Sequence, residues 1–112
     1  MKSEIVVLAM LLAGTLVGCG KSETGEACTA AEDCKDTQCI VGGSFPEGLC
    51  TPACDASTDC PEGFVCISRS SGICLATCTS EASCTESRGT DWQCREESLE
   101  EGGGVAMVCI GA

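Results

Sequence analysis

Thirteen cysteines in 112 residues, with no histidine and no tyrosine, dominate the chemistry available to this chain. Cysteine can bind metal as thiolate, exchange electrons as a reactive pair, or close disulfides, and spacing discriminates among the three. Structural zinc favours closely paired ligands such as C-x2-C, often with histidine. A thiol oxidoreductase wants C-x-x-C at a helix start, where one thiol is acidified. Here the shortest gaps between cysteines are three, four and five residues, and neither pattern occurs. Disulfides are the remaining use, and they imply an oxidising compartment outside the cytoplasm.

Other reactive groups are few. Without histidine, neither a Ser-His-Asp nor a Cys-His arrangement can form. A carboxylate pair acting as acid and base needs a rigid cleft, which a short chain poor in large apolar residues is not expected to build, so an enzyme is not expected. Asp55, Asp59 and Glu62 place three carboxylates in one cysteine loop, a weak calcium candidate, although the spacing matches no EF-hand loop. Ser68–Ser71 and Gly42–Gly48 could each form a loop of the kind that protease inhibitors present, held ready by flanking disulfides. Trp92 is either a binding anchor or, as favoured here, a cover for the disulfides of its own segment, with Phe64 in the same role one segment earlier. No metal or other cofactor is expected beyond that calcium candidate.

The cysteines fall into a repeat. From Cys28 the gaps read C28-x5-C34-x4-C39-x10-C50, then C54-x5-C60-x5-C66-x7-C74, then C78-x5-C84-x9-C94-x14-C109. Each set of four opens with the same five-residue gap, and three-residue spacers join the sets. Asp33-Cys34 matches Asp59-Cys60, with Ser83-Cys84 as the variant. Gly48-Leu49-Cys50 matches Gly72-Ile73-Cys74, with Met107-Val108-Cys109 closing the third set. Phe64 and Trp92 both stand two residues before a third cysteine. Twelve cysteines are thereby accounted for, and Cys19 stands alone.

Cys19 ends the string Leu16-Val17-Gly18-Cys19, which follows a charge-free apolar run from Ile5 to Gly18 and a lysine at position 2. Fourteen uncharged residues are short of the ~20 apolar ones that span a bilayer, and the arrangement suits a signal segment. This region resembles a bacterial lipoprotein precursor with Leu16-Val17-Gly18-Cys19 as its lipobox. The resemblance implies removal of residues 1–18 as a signal peptide and acylation of Cys19, with diacylglyceryl (palmitate-type) lipid on sulfur and a further acyl chain on the new amino group. Gly20, in place of an aspartate, implies outer-membrane sorting by the same resemblance. The whole chain is similar to small, acidic, repetitive cysteine-rich lipoproteins of deltaproteobacterial or myxobacterial type. That likeness implies a cell-envelope location and no set activity.

Charge limits the partners. Beyond Cys19 there are sixteen acidic residues against Lys21, Lys35, Arg69, Arg88 and Arg95, a net charge of −11. Such a surface repels nucleic-acid phosphates and anionic headgroups. Nucleic acid is not expected as a partner, and membrane attachment has to come from the lipid on Cys19.

The elements that must position these residues are meagre. Large apolar side chains are too sparse over roughly 90 mature residues to offset chain entropy by burial alone. Six disulfides are therefore expected to carry the fold. The expected class is small and disulfide-rich: three tandem four-cysteine mini-modules with short β-hairpins and little regular secondary structure. Residues 19–27 read as the lipidated cysteine and a flexible tether, and residues 28–112 as the cysteine-rich domain with repeats at 28–50, 54–74 and 78–109.

Within each repeat, turn residues between β-branched stretches predict a hairpin. These run Gln38–Val41 to Gly48–Thr51, Val65–Ile67 to Gly72–Leu75, and Asp91–Arg95 to Ala106–Ile110. Helix is expected only as a turn near Ala30–Cys34 and Glu81–Cys84, and Glu96–Gly104 as the most mobile loop. Four cysteines allow three pairings per repeat. The hairpin sets the third and fourth cysteines on neighbouring strands, from which each can reach back to the amino-terminal loop. That favours Cys28–Cys39 with Cys34–Cys50, Cys54–Cys66 with Cys60–Cys74, and Cys78–Cys94 with Cys84–Cys109. The crossing resembles the first four cysteines of an EGF-like module, whose remaining cysteines are absent.

The function these features predict is a lipid-anchored envelope or surface lipoprotein, non-enzymatic, that binds a protein or glycan ligand or serves structurally. The alternative is a membrane-tethered scaffold resembling small protease inhibitors.

Overall fold

The computed structural model describes residues 21–111; the expected signal segment 1–18, the expected lipobox and Cys19 lie outside the described residues. Each set of four cysteines builds one antiparallel hairpin. Strands β1 (Gln38–Gly42) and β2 (Phe45–Thr51) form the first, β3 (Phe64–Ile67) and β4 (Ile73–Ala76) the second, β5 (Trp92–Ser98) and β6 (Val105–Gly111) the third. The pairing register sets Cys39 opposite Cys50, Cys66 opposite Cys74 and Cys94 opposite Cys109. Side chains at facing positions of an antiparallel pair leave the same face of the sheet. Both cysteines of each hairpin therefore point together at the segment that precedes it.

That segment supplies the partners. The bonds are Cys28–Cys39 and Cys34–Cys50, Cys54–Cys66 and Cys60–Cys74, and Cys78–Cys94 and Cys84–Cys109. Every repeat thus joins first to third and second to fourth. Closing loops of 11 to 25 residues removes unfolded-state entropy worth about 3 kcal/mol per bond. Together the six bonds supply what so small an apolar inventory cannot.

The matched dipeptides have physical reasons. In the first repeat the Asp33 carboxylate accepts the backbone N–H groups of Thr29 and Ala30, at 2.9 and 3.1 Å, and the Thr29 hydroxyl at 2.8 Å. Asp59 accepts those of Asp55 and Ala56 in the second, at 3.0 and 3.2 Å. Each carboxylate fastens a single 3-10 turn, Ala31–Asp33 or Ser57–Asp59. The turn at Ser57–Asp59 was not expected from sequence, although Asp59 repeats the position of Asp33. In the third repeat Ser83 stands at the aspartate position, and helix α1 runs over Glu81–Arg88. That is two turns rather than the one expected. The longer helix occupies the extra residues of the C84-x9-C94 gap.

Gly48 and Gly72 are set by close approach. Both have positive φ, at 78° and 103°. A Cβ on Gly48 would overlap the Cys28 carbonyl oxygen, and one on Gly72 the Cys54 carbonyl oxygen. Glycine lets the leading cysteine lie directly against the returning strand.

The three repeats are stacked on one another. Strands β2, β4 and β6 touch pairwise and close a shared core. Phe45 and Leu49 enter from the first repeat, Ile67, Ile73 and Leu75 from the second, Trp92, Val108 and Ile110 from the third. No repeat could bury such a face alone, and joining three faces is what makes a core available. Thr51, fully buried, links two repeats: its hydroxyl donates to the Cys74 carbonyl at 2.7 Å and accepts the Cys74 N–H at 2.9 Å. The Gly111 N–H donates to the Ser44 carbonyl at 2.7 Å, so the end of the third hairpin folds back onto the turn of the first.

Two sequence expectations need correction. Residues 21–27 do not stand off as a free tether. Ser22 N–H donates to Asp33 and Lys35 N–H to Ser22, while Gly25 N–H and Glu26 C=O both pair with Cys50. These residues form the edge that the three-residue spacers form for the later repeats. The stretch Glu96–Gly104 is likewise not a loose loop. β5 continues to Ser98, Leu99 packs against the shared core, and the Glu100 N–H donates to the Cys66 carbonyl at 3.0 Å. The Glu101 carboxylate accepts the Ser57 N–H at 3.0 Å, which ties this segment to the second repeat.

Candidate functional site

Helix α1 exists because Glu81 at its start and Arg88 at its end suit the helix dipole and because the Cys84–Cys109 bond pins its buried face. Its last residue, Arg88, lies over the Trp92 ring, 4.1 Å from the centroid. Pro46-Glu47-Gly48 bulge out of β2, where the register shifts and Glu47 takes a φ of 66°. The bulge turns backbone carbonyls toward the helix. Arg88 Nη2 donates to Gly48 O at 2.7 Å and Pro46 O at 3.4 Å, and Nη1 donates to Gly25 O at 3.0 Å. Burial pulls the Arg88 pKa down, and the nearby Glu47 and Glu26 carboxylates push it back up. Arginine stays charged at any physiological pH.

Around this clamp lies a half-open cleft of about 630 Å³, walled by all three repeats. Its floor is apolar, from Leu49, Leu75 and the half-buried Phe64. Exposed Glu26 and Glu47 stand at the rim, with Arg88 and Trp92 at the third side. Trp92 is 1% exposed, and its indole Nε1–H has no hydrogen-bond partner among the described residues. The size is that of a site for one or two side chains or a small ligand.

The residues singled out from sequence are placed as follows. Trp92 is core, tilted against Phe45 with centroids 6.4 Å apart, and shares its cluster with Cys84 and Cys109. Phe64 packs on the disulfides of the second repeat. Asp55, Asp59 and Glu62 are not gathered; Asp59 spends one oxygen on backbone N–H groups, and the calcium candidate has no geometric support. Among the described residues, the clusters with metal-like separations are cysteines, such as Cys28, Cys34 and Cys50 within 4.8 Å. Every one of these sulfurs is in a disulfide, here Cys28 with Cys39 and Cys34 with Cys50, and offers no thiolate.

Neither candidate inhibitor loop is an extended, offered segment. Ser68–Gly72 is a tight turn with Ser70 and Ser71 at positive φ, and Arg69 is turned inward onto Glu97, with Nε–Oε1 2.9 Å. Gly43-Ser44 make a two-residue connection between β1 and β2, and Ser44 O is occupied by Gly111.

The cleft itself was not legible in the sequence. In the sequence Glu26 falls in the expected tether, Glu47 in an expected turn and Arg88 beyond the expected helix. A faint signal existed in Arg88, since it is one of only five cations beyond Cys19 and follows the third repeat's helix-forming stretch. Comparison with protein-family models, with curated proteins and with solved structures finds no match to this chain.

Proposed function

We propose that this chain is a lipid-anchored lipoprotein of the bacterial cell envelope, sorted to the outer membrane, and a non-enzymatic module that binds a ligand or serves structurally. The observation that carries the reading is a count. All twelve cysteines from Cys28 to Cys109 are bonded to one another, so Cys19 has no cysteine left to pair with. A lone thiol in an exported chain wants another use, and acylation at Leu16-Val17-Gly18-Cys19 supplies one.

The docked segment 21–27 adds a spatial consequence. The chain is bonded to the first repeat from Ser22 on, and only two residues separate Ser22 from Cys19 in the sequence. Anchored there, the first repeat sits close to the bilayer instead of swinging on a leash. No described helix is long and apolar enough to cross a membrane, and the lipid is the anchor in this reading. The non-enzymatic part rests on the missing histidine and on the commitment of the thiols to disulfides.

The test is expression of the full chain and of Cys19→Ala in a Gram-negative host. The parent should partition with membrane through salt and carbonate washes, and its mass should match a chain beginning at Cys19 plus the acyl groups. Cys19→Ala should lose both. Retention of the alanine variant on washed membrane sinks the proposal.

A further inference from the structure

We infer that the cleft where the three repeats meet is a docking site for a basic peptide segment, which inserts one apolar side chain while flanking lysines or arginines meet Glu26 and Glu47. This rests on the binding-module half of the reading above and is independent of the lipid anchor.

The cleft holds about 630 Å³, room for an apolar side chain and the backbone on either side of it. Its floor of Leu49, Leu75 and Phe64 rewards an apolar group, and Phe64 is the member still partly open to water. The rim fixes the sign of the partner. Among the described residues Arg88 is the sole cation lining the cleft, and its donors are already directed at the carbonyls of Gly25, Pro46 and Gly48. Its charge is outnumbered by the two exposed carboxylates, which leaves the mouth at a formal −1. One oxygen of Glu26 accepts the Glu23 N–H at 2.7 Å, and the other is uncommitted among the described residues. The chain as a whole, rim included, carries −11, a field that draws cationic partners inward and excludes acidic ones. Ser22 and Thr24 stand on the walls with hydroxyls that can pair with a peptide backbone, while the Ser87 hydroxyl donates to the Ser83 and Cys84 carbonyls and can only accept. The walls are firm, because the Gly25 strap is bonded to Cys50 and clamped by Arg88. Little ordering is required on binding.

Trp92 is the single tryptophan and lines the cleft, so its emission reports occupancy. The probes are the amidated hexapeptide KKLFKK, its acidic counterpart EELFEE and the neutral sugar chitotriose, titrated into the full chain in detergent micelles and into its Cys19→Ala variant. KKLFKK should bind both proteins with a Kd below a millimolar and shift the Trp92 emission, while EELFEE and chitotriose leave it unmoved. The double variant Glu26→Gln/Glu47→Gln should weaken KKLFKK at least tenfold. Glu62→Gln/Glu96→Gln, which removes two exposed acids outside the cleft, should change it less than twofold. Both doubles are near-isosteric, and six intact disulfides by mass certify each fold. Absence of KKLFKK binding, an equal loss in the two doubles, or a Trp92 response to chitotriose in its place overturns the inference. Binding by a Cys19→Ala chain that also stays on washed membrane leaves the cleft standing and removes the anchor.

Discussion

The Arg88 guanidinium lies over Trp92, 4.1 Å from the ring centroid, while its nitrogens hold two carbonyls of the first repeat and that of Gly25 just ahead of it. One side chain thereby joins the end of the third repeat's helix, the centre of the shared core and the strap at Gly25. A cation over an indole is attracted by the ring's negative face, more strongly where water is excluded. Lysine could offer the charge but not the planar fork that reaches Pro46 and Gly48 together with Gly25.

Arg88→Ala should therefore destabilise the oxidised protein by about 2–3 kcal/mol, from lost charged hydrogen bonds and the lost ring contact. Denaturant unfolding followed by Trp92 emission measures it. Arg88→Lys should recover less than half. An unchanged midpoint in Arg88→Ala would show that the clamp contributes nothing.

Gly48→Ala and Gly72→Ala should each fail during oxidation. The added methyl meets a carbonyl oxygen of the leading cysteine, and the positive φ is unfavourable as well. Gly63 and Gly102 also have positive φ but face open space. Their alanine variants should lose only about 1 kcal/mol and form the full set of bonds. The readout is the yield of six-disulfide monomer after refolding from the reduced chain.

Thr51→Val removes a buried hydroxyl that both donates to and accepts from the Cys74 backbone. Two buried groups are left unpaired, at a cost of about 2 kcal/mol. Thr51→Ser keeps the oxygen and should keep most of the stability. Equal losses for valine and serine would place the effect in packing and not in the hydrogen bonds.

Acid should act partly through Glu97. The Arg69 fork holds its carboxyl below the ordinary value, against the opposing effect of burial, and Arg95 helps. A depressed folded-state pKa gives stability that is complete above the unfolded value, ~4.3, and is lost as pH falls through the folded one. At pH 7 Glu97→Gln should be less stable by about 1 kcal/mol. The gap between parent and variant should close as pH is lowered from about 5 toward 3. A gap that is constant over that range would mean the ion pair is not its source.

Reduction with alkylation should add twelve alkyl groups to the chain from Cys28 onward, and none should add without reduction. Proteolysis of the oxidised protein should yield peptides linked first to third and second to fourth. A fragment joining Cys39 to Cys50 would contradict the fold, since those residues face each other across β1 and β2 without being bonded.

How much of this could be read beforehand is clearest at particular residues. The third and fourth cysteines of each repeat flank a turn, and hairpin geometry alone puts them side by side and aims them at the preceding loop. The structure has the same pairing. Asp33 and Asp59 matched in sequence because each carboxylate caps the same local turn. Gly48 and Gly72 matched because each passes the same carbonyl. These are contacts between residues whose separation in sequence is fixed by the repeat, so the repeat announces them.

Glu47, Arg88 and the segment Glu96–Gly104 were another matter. Glu47 lies in a bulge that serves Arg88, forty-one positions later in the sequence. Arg88 finds its carbonyls only after the third repeat has folded back on the first. Composition marks Glu96–Gly104 as acidic and glycine-rich, yet Glu97 is held by Arg69 and Glu101 by Ser57 of the preceding repeat. Sequence determined what lies within a repeat, because short loops and cysteine spacing leave few geometries. How the repeats sit on one another was decided by the shared core around Trp92 and by two arginines that cross between them, and the cleft exists only as a result of that packing.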